Sequence, residues 1–475
     1  MCSFTMIASP TRTRTDAVGV PVRHLVAAKG LLVVAALFLK LWSDERRAAA
    51  IFMVGLFAGG WMISGWMAPT AASKGFARAL FSATYAVTLV WSLWLENNFI
   101  ETRGIPIAPG GDADSLYAAG LLIAEQFRTG VFSLDGVRPI TGGSPNFGPH
   151  VLHGLLFLIR PDQFLVLTVN AFMAGLAAVG AFRLGVLLFR EPIGRLAGIL
   201  MASNPELIFW AGVTLKDSLF ASLLVLGTAA AIEFAMKGGA RALAAMCFMA
   251  AAMYITRRPL AFPWTALTLL FLVWRMFPLN TVRHVRIAIG TSVVFLLGVI
   301  VAREMLGQPL TPGWIVGQLR ATQGGFTVAA RSGSLISDAS FSSLLDLGLT
   351  VPVTIGRAVV GALPWKLTGF VAFLGPPLLL RPIIWVPASF TIVQVLSAQR
   401  RRSELVYLAL LAVGMLGAIA FGSFGEGPRR QLAFIAPMIL LAAPALATSA
   451  KIRLFTLSMV VAEVLALGPG LLFQS

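Results

Sequence analysis

The chain has 475 residues, of which 57% are hydrophobic and only 12% are charged. Soluble domains carry about 25% charged residues, so this composition excludes a soluble globular enzyme. Apolar runs of the roughly 20 residues that cross a bilayer as a helix recur from Leu31 to Leu472. We therefore predict an all-α fold, a polytopic bundle of about 11–13 transmembrane helices.

The net charge of +17 comes from 37 basic and 20 acidic residues. Basic residues gather in short loops between apolar runs, as the positive-inside tendency requires, and they also attract anionic membrane lipids. No basic stripe alternates with aromatic residues in a polar segment, so we predict no nucleic-acid partner. Two cysteines, Cys2 and Cys247, are too few for a disulfide framework or a metal cluster.

Hydropathy and loop charge divide the chain into six regions in order. They are a cytoplasmic basic tail at 1–28, N-terminal transmembrane helices at 29–95, an extracytoplasmic loop at 96–162 with an acidic motif and juxtamembrane helices, a transmembrane core at 163–302, a second extracytoplasmic loop at 303–366, and C-terminal transmembrane helices at 367–475. The predicted spans are 29–43, 49–67, 76–95, 163–188, 194–211, 218–236, 242–256, 260–275, 285–302, one within 367–397, 403–422, 431–447 and 454–473.

The predicted orientation depends on the apolar run 147–159. We interpret this run as a juxtamembrane helix, because it is shorter than a span and contains His150 and His153. With a cytoplasmic N-terminus, most basic loops then lie inside, which satisfies the positive-inside tendency. If the run spans instead, every later loop changes sides.

Four charged clusters break the positive-inside pattern, and all fall on the predicted outer face. Ionisable groups near membrane depth are costly and usually face a cavity or a partner. The clusters are Asp112 with Asp114, Lys216 with Asp217, Arg257 with Arg258, and Glu426 with Arg429 and Arg430.

Each cluster also has a simpler interpretation as a helix end. Asp112 and Asp114 could cap a helix that starts near Ser115, and Lys216 could pair locally with its neighbour. Arg257 and Arg258, which precede Pro259, could extend their side chains so that the charged groups reach the membrane interface. The occurrence of all four clusters on one face favours a shared cavity, with carboxylates to activate a nucleophile and arginines to bind a phosphate.

Short motifs between residues 105 and 445 are similar to those of one family. The acidic motif Gly111-Asp112-Ala113-Asp114, followed by Tyr117, looks like a modified DxD element. The other similar segments are Asn146–His150, Ser203-Asn204-Pro205 with Lys216–Leu219, and Arg429-Arg430 followed by Pro437. Together they resemble the GT-C superfamily of membrane glycosyltransferases, especially the branch with protein O-mannosyltransferases and the lipid A aminoarabinose transferase.

The resemblance implies transfer of a sugar from a polyprenyl-phosphate donor to a lipid, glycan or protein acceptor. Asp112, with Asp114 as second choice, would deprotonate the acceptor hydroxyl. Cationic side chains would stabilise the departing phosphate, and three further residues would support them. The phosphate-binding candidates are Lys216, Arg257, Arg258, Arg429 and Arg430, and the supporting ones are Asp217, His150 and Glu426.

No cofactor and no metal site are predicted. Two aspartates at i and i+2 suit a hard cation such as Mg²⁺ or Mn²⁺, but the resembling branch is regarded as working without one. The composition, rich in Ala, Arg and Gly, and the lack of a eukaryotic retention signal indicate a bacterial inner-membrane protein whose site faces the periplasm.

Three other functions fit parts of the same pattern. One is a polysaccharide polymerase or ligase that uses undecaprenyl-diphosphate glycans and relies on arginines. Another is a transporter or lipid flippase, although the two halves of the chain show no matching repeats of the kind that such folds often have. The last is an inactive scaffold subunit of an envelope assembly.

Overall fold

The computed structural model describes residues 20–43, 46–108, 111–130, 137, 147–213, 216–276, 378–397, 402–423 and 428–472. The predicted span 285–302, the predicted second loop 303–366 and the site candidate Glu426 lie outside these residues.

Every regular element in the described part of the chain is a helix, as predicted. A single 3-10 turn, Ala71–Ser73, joins α2 to α3. The helices are α1 (Val20–Leu41), α2 (Arg47–Met67), α3 (Lys74–Arg103), α4 (Gly111–Thr129), α5 (Gly148–Ile159), α6 (Gln163–Leu188), α7 (Glu191–Ala202), α8 (Pro205–Ala211), α9 (Lys216–Lys237), α10 (Ala240–Met276), α11 (Pro382–Ser397), α12 (Ser403–Ser423), α13 (Pro428–Thr448) and α14 (Ala450–Leu472).

Four helices in the described residues, α2, α3, α6 and α9, are long and apolar enough to cross a membrane. A fifth span is present if α13 and α14, which meet at an angle of 118°, count as one. The most apolar stretch of α6 is 83% buried inside the protein and that of α2 only 39%, so α6 is central and α2 peripheral. These helices support a multi-pass membrane protein, and the number of about 11–13 spans stays a prediction.

One end of the bundle, here called the Glu96 end, is defined by contacts of Arg46. Arg46 precedes α2, and its guanidinium donates to both carboxylate oxygens of Glu96, at 2.9 and 3.1 Å. Its Nε lies 3.8 Å from the carboxylate of Asp162, which directly precedes α6. The start of α2, the last turns of α3 and the start of α6 therefore meet at this end.

The opposite end, here called the Met67 end, is defined by contacts of Arg183 in α6. Arg183 donates to the Met67 carbonyl oxygen at 2.9 Å and to the carboxylate of Glu233, near the C-terminus of α9. Helices α2, α6 and α9 therefore run parallel to one another, and α3 runs antiparallel to them. Residues 104–162 consequently leave α3 and enter α6 at the same end of the bundle.

Helices α4 and α5 pack closely against each other within this connection. A Cβ atom added to Gly154 would lie 2.3 Å from a side-chain atom of Ile123, and one added to Gly120 would lie 2.7 Å from His153. Only glycine allows two helices to approach at these points, since any side chain would overlap the partner.

The predicted span 194–211 is divided into α7 and α8 in the structure. Pro205 disfavours helical backbone at the preceding residue, and Asn204 indeed has φ −67° and ψ 114°. The Asn204 side chain then accepts a hydrogen bond from the backbone N–H of Leu207 at 2.8 Å, which caps α8.

Two other helix boundaries also differ from the prediction. Helix α1 begins inside the predicted tail 1–28, and α3 continues eight residues beyond the predicted end at 95.

Helix α10 is sharply bent at Arg257, whose φ of −154° and ψ of 75° are not helical. In a straight helix Met253 and Trp264 would be about 16 Å apart. Both nevertheless approach Gly227 of α9, where an added Cβ would lie 3.1 Å from Met253 and 3.0 Å from Trp264. The two parts of α10, which correspond to the predicted spans 242–256 and 260–275, therefore form arms that fold back on each other at Arg257.

Candidate functional site

The predicted acidic motif lies in the first turn of α4, which begins at Gly111. Asp112 and Asp114 are therefore not caps of a helix starting near Ser115, and carboxylates in a first turn interact favourably with the helix dipole. The side chain of Asp114 is 46% exposed and lies 3.7 Å from the guanidinium of Arg103. Arg103 is itself held by donating to the Ile107 carbonyl oxygen at 2.9 Å. The side chain of Asp112 lies outside the described part of the structure.

The structure brings together two residues from separate predicted clusters, Asp217 and Arg257. Asp217 lies in the first turn of α9, and Arg257 lies at the bend of α10, where its guanidinium forms an ion pair with the Asp217 carboxylate. Their side chains are only 2% and 15% exposed. A charge buried this deeply requires an opposite charge beside it, so the pair fixes the bend of α10 against the start of α9.

The two neighbouring candidates, Lys216 and Arg258, are placed differently. Lys216 is the first residue of α9 and is half-buried. The guanidinium of Arg258 lies over the rings of Tyr254 and Phe262, 5.2 and 5.8 Å from their centroids. A cation over aromatic faces is stabilised by the ring electrons, so adjacent arginines in the sequence occupy distinct environments.

His150 is buried in the first turn of α5, close to the bend of α10. The approach of the two elements is set by Gly148, where an added Cβ would lie 2.7 Å from the carbonyl oxygen of Ile255. His150 is 2% exposed. The start of α5 therefore packs against Ile255, which is two residues before Arg257 in the chain.

His153, one turn later in α5, is also buried and is neutral at physiological pH. Burial lowers the pKa of His153 to about 4, even though its Nδ1 lies 2.7 Å from the Pro149 carbonyl oxygen and this hydrogen bond favours the protonated form. In the neutral ring that nitrogen carries the proton and donates it to the carbonyl. Its ring contacts Phe157 with centroids 6.0 Å apart.

Arg429 and Arg430 lie in the first turn of α13, at the Glu96 end. Arg402, just before α12, donates to the Leu188 carbonyl oxygen at 2.9 Å, which places the start of α12 at the Met67 end. A helix of 21 residues is about 31 Å long and therefore reaches the opposite end, where α13 begins. The structure describes the backbone of these two arginines and not their side chains.

Several ion pairs at the Glu96 end were not predicted from the sequence. Besides Arg46 with Glu96, the carboxylate of Glu206 accepts from Arg381 at 2.9 Å, with side chains 3% and 10% exposed. A lone glutamate at the end of an apolar run, such as Glu96, was a usable signal because its burial is costly. The partners of Glu96 and Glu206 could not be predicted, because they lie 50 and 175 positions away in the chain.

A small cavity of about 10 Å³ lies at the Glu96 end. It is lined by Glu96 from α3, Pro106 and Ala108 from the connection to α4, Gln163 from α6, and the segment Gly212–Val213 before α9. None of the residues predicted from the sequence to form the site lines this cavity.

No group of three or more His, Cys, Asp or Glu side chains that could hold a metal ion occurs among the described residues. The side chain of Asp112 and the residue Glu426 are not among them. The expectation that the acidic motif works without Mg²⁺ or Mn²⁺ stays a prediction.

Long apolar helices with charged residues collected at their ends define a multi-pass helical membrane protein. No protein-family model matches the chain, and no curated protein matches it. The resemblance to the GT-C superfamily therefore stays a hypothesis based on the motifs.

Proposed function

We propose that the protein is a membrane glycosyltransferase. It moves a sugar from a polyprenyl-phosphate donor to a lipid, glycan or protein acceptor. Transfer takes place at the outer face of a bacterial inner membrane, among membrane lipids and within a bundle of about 11–13 spans. In this proposal the loop 96–162, and with it the Glu96 end of the bundle, is extracytoplasmic.

One observation carries this proposal: charged residues from distant parts of the chain occur at the same end of the bundle. They come from the start of α4, the start of α9, the bend of α10 and the start of α13. A phosphate attached to a membrane lipid stays at the interface, where cations at this depth can bind it. Transfer also needs a carboxylate near the sugar, and α4 supplies two.

The environments of the carboxylates suggest different roles. Asp114 is half-exposed and its contact with Arg103 is 3.7 Å long, so it is free to approach a substrate. Asp217 is buried against Arg257 and serves as a positioning residue for that arginine. We assign Asp112, or Asp114 as second choice, as the base, and Lys216, Arg258, Arg429 and Arg430 as donor phosphate ligands together with Arg257.

The proposal is tested by transfer of label from radiolabelled polyprenyl-phosphate sugars in membranes that contain the protein. We expect Asp112→Asn to lower the rate by about 10²- to 10⁴-fold, the usual contribution of a general base. Asp114→Asn should have the same effect if Asp114 is the base.

Glu125→Gln is the matched control, because Glu125 lies in the same helix with its side chain 64% exposed. This variant should keep the wild-type rate. Label that moves equally in wild type and in both aspartate variants, or in none of them, would contradict the assignment. An arginine-dependent polymerase should keep substantial activity in both variants, and a transporter should show flux in proteoliposomes without glycosyl transfer.

A further inference from the structure

One residue that lines the cavity at the Glu96 end, Gln163, has unmet hydrogen-bonding capacity in its side chain. Gln163 is 1% exposed, and neither its amide oxygen nor its amide nitrogen has a hydrogen-bond partner among the described residues. An unpaired buried donor or acceptor costs about 1–3 kcal/mol. A ligand atom in the cavity would remove this cost for both atoms at once.

The size of the cavity limits what can enter it. Its volume of about 10 Å³ matches one group the size of a water molecule, since such a group needs about 10–15 Å³. The cavity is partly open to the outside. One small group can therefore occupy it while the rest of its molecule remains outside.

The charge balance of the walls favours a neutral group. Glu96 is the charged residue of the lining, and both of its carboxylate oxygens accept from Arg46, at 2.9 and 3.1 Å. A cation would find this negative charge already compensated, and a phosphate would be repelled by the carboxylate. An amide that must both donate and accept is best satisfied by a group that also does both, which is the property of a hydroxyl.

The position of the cavity connects it to the proposed site. Ala108, in one wall, is three residues before Gly111 at the start of the acidic motif. Val213, in another wall, is three residues before Lys216. A sugar with one hydroxyl in the cavity would therefore have its remaining atoms beside the segments that lead to Asp114 and Lys216.

We propose that this cavity is a subsite that binds one hydroxyl group of a neutral sugar, with Gln163 as the residue that determines specificity. The assignment of the ligand as a sugar rests on the proposed function. The hydroxyl accepts a hydrogen bond from the Gln163 amide nitrogen and donates one to its amide oxygen. A sugar that lacks this hydroxyl leaves both amide atoms unpaired and binds more weakly.

The direct test is saturation-transfer NMR on the full-length protein in detergent. The probes are free mannose, glucose, galactose and arabinose, each beside its monodeoxy analogues. In the wild type, we expect removal of one particular hydroxyl to weaken the signal at least tenfold. Gln163→Met, which keeps the length of the side chain and removes its polar atoms, should bind the sugar and its deoxy analogue equally.

The matched control is Thr168→Val in the same helix. Thr168 is fully buried, is not part of the cavity lining, and has an internal partner in the Phe164 carbonyl oxygen at 2.7 Å. This variant should discriminate between the sugars as the wild type does. Without sugar, Gln163→Met should unfold at the wild-type temperature or above, because an unpaired amide has been removed.

The possible results separate this proposal from the proposed function. If transfer is detected but Gln163→Met leaves the Michaelis constant and the deoxy-sugar discrimination unchanged, the subsite is refuted and the transferase stands. If no transfer is found but binding of free sugar depends on Gln163, the transferase is refuted and the subsite stands. A lower unfolding temperature of Gln163→Met with unchanged sugar binding would mean that the cavity holds a structural water only, which also refutes the subsite.

Discussion

At the residue scale, buried ionisable groups in this protein are held by partners distant in sequence. The clearest case is Asp217 with Arg257, since the removal of either partner would leave a buried charge uncompensated. The helix ends at which these groups lie were predicted from the sequence. The partners were not, because local sequence carries no information about which distant helix will pack nearby.

Buried His153 predicts a pH dependence of stability. Its pKa is about 4 in the folded protein, below the ordinary value of 6.5. Between these two values the unfolded chain binds a proton that the folded protein does not bind, so stability falls as the pH is lowered through this window. The loss approaches about 3 kcal/mol at the acidic end. Unfolding of the wild type and His153→Gln in detergent, followed between pH about 7 and about 4, measures the effect.

The informative quantity in this experiment is the slope with pH, since the substitution itself changes absolute stability. The wild type should lose more stability per pH unit than His153→Gln. Equal slopes in the two proteins would show that His153 is accessible to protons in the folded state.

At the element scale, glycines determine how closely helices approach. Helices α6 and α7 meet through Gly185 and Gly194, and a Cβ added to Gly194 would lie 2.7 Å from the Val186 backbone nitrogen and 2.8 Å from the Phe182 carbonyl oxygen. These are backbone atoms that cannot rotate away. Gly194 therefore sets the distance between the two helices.

Gly194→Ala should destabilise the protein by about 1–3 kcal/mol, the usual effect of overpacking. Gly55→Ala in α2 is the control, because an added Cβ there meets no atom within 4 Å. This control should be neutral or gain up to about 1 kcal/mol from the better helix propensity of alanine. Thermal unfolding of both variants in detergent decides the matter, and equal unfolding temperatures would argue against close α6–α7 contact.

At the scale of the whole molecule, the two ends of the bundle differ in what they carry. The Met67 end has Arg183 with Glu233, Lys237 at the C-terminus of α9 and Arg402 just before α12, whereas the Glu96 end has the candidate site. The relative directions of the long helices follow from the contacts at these two ends. Which end faces the cytoplasm depends on the positive-inside tendency.

Cysteine labelling tests this orientation in intact cells. In a background with Cys2→Ser and Cys247→Ser, we expect Thr102→Cys, at the exposed end of α3, to react with a membrane-impermeant maleimide. Arg241→Cys, exposed at the start of α10, should react only after the membrane is permeabilised. The reverse pattern would invert the orientation, and labelling of both positions from outside would contradict the topology.

The sequence by itself determined the environment and the class of structure, because a chain with 12% charged residues cannot cover an apolar core with polar surface. It also located the reversal at Arg257 and the start of α6, where apolar runs stop at polar or proline residues. The break at Asn204 follows from a local signal, Pro205, that the predicted span 194–211 did not take into account. The ion pair of Arg381 with Glu206 was decided only by the tertiary structure. The same holds for the cavity at Gln163, since its walls come from four segments that meet only when the helices pack.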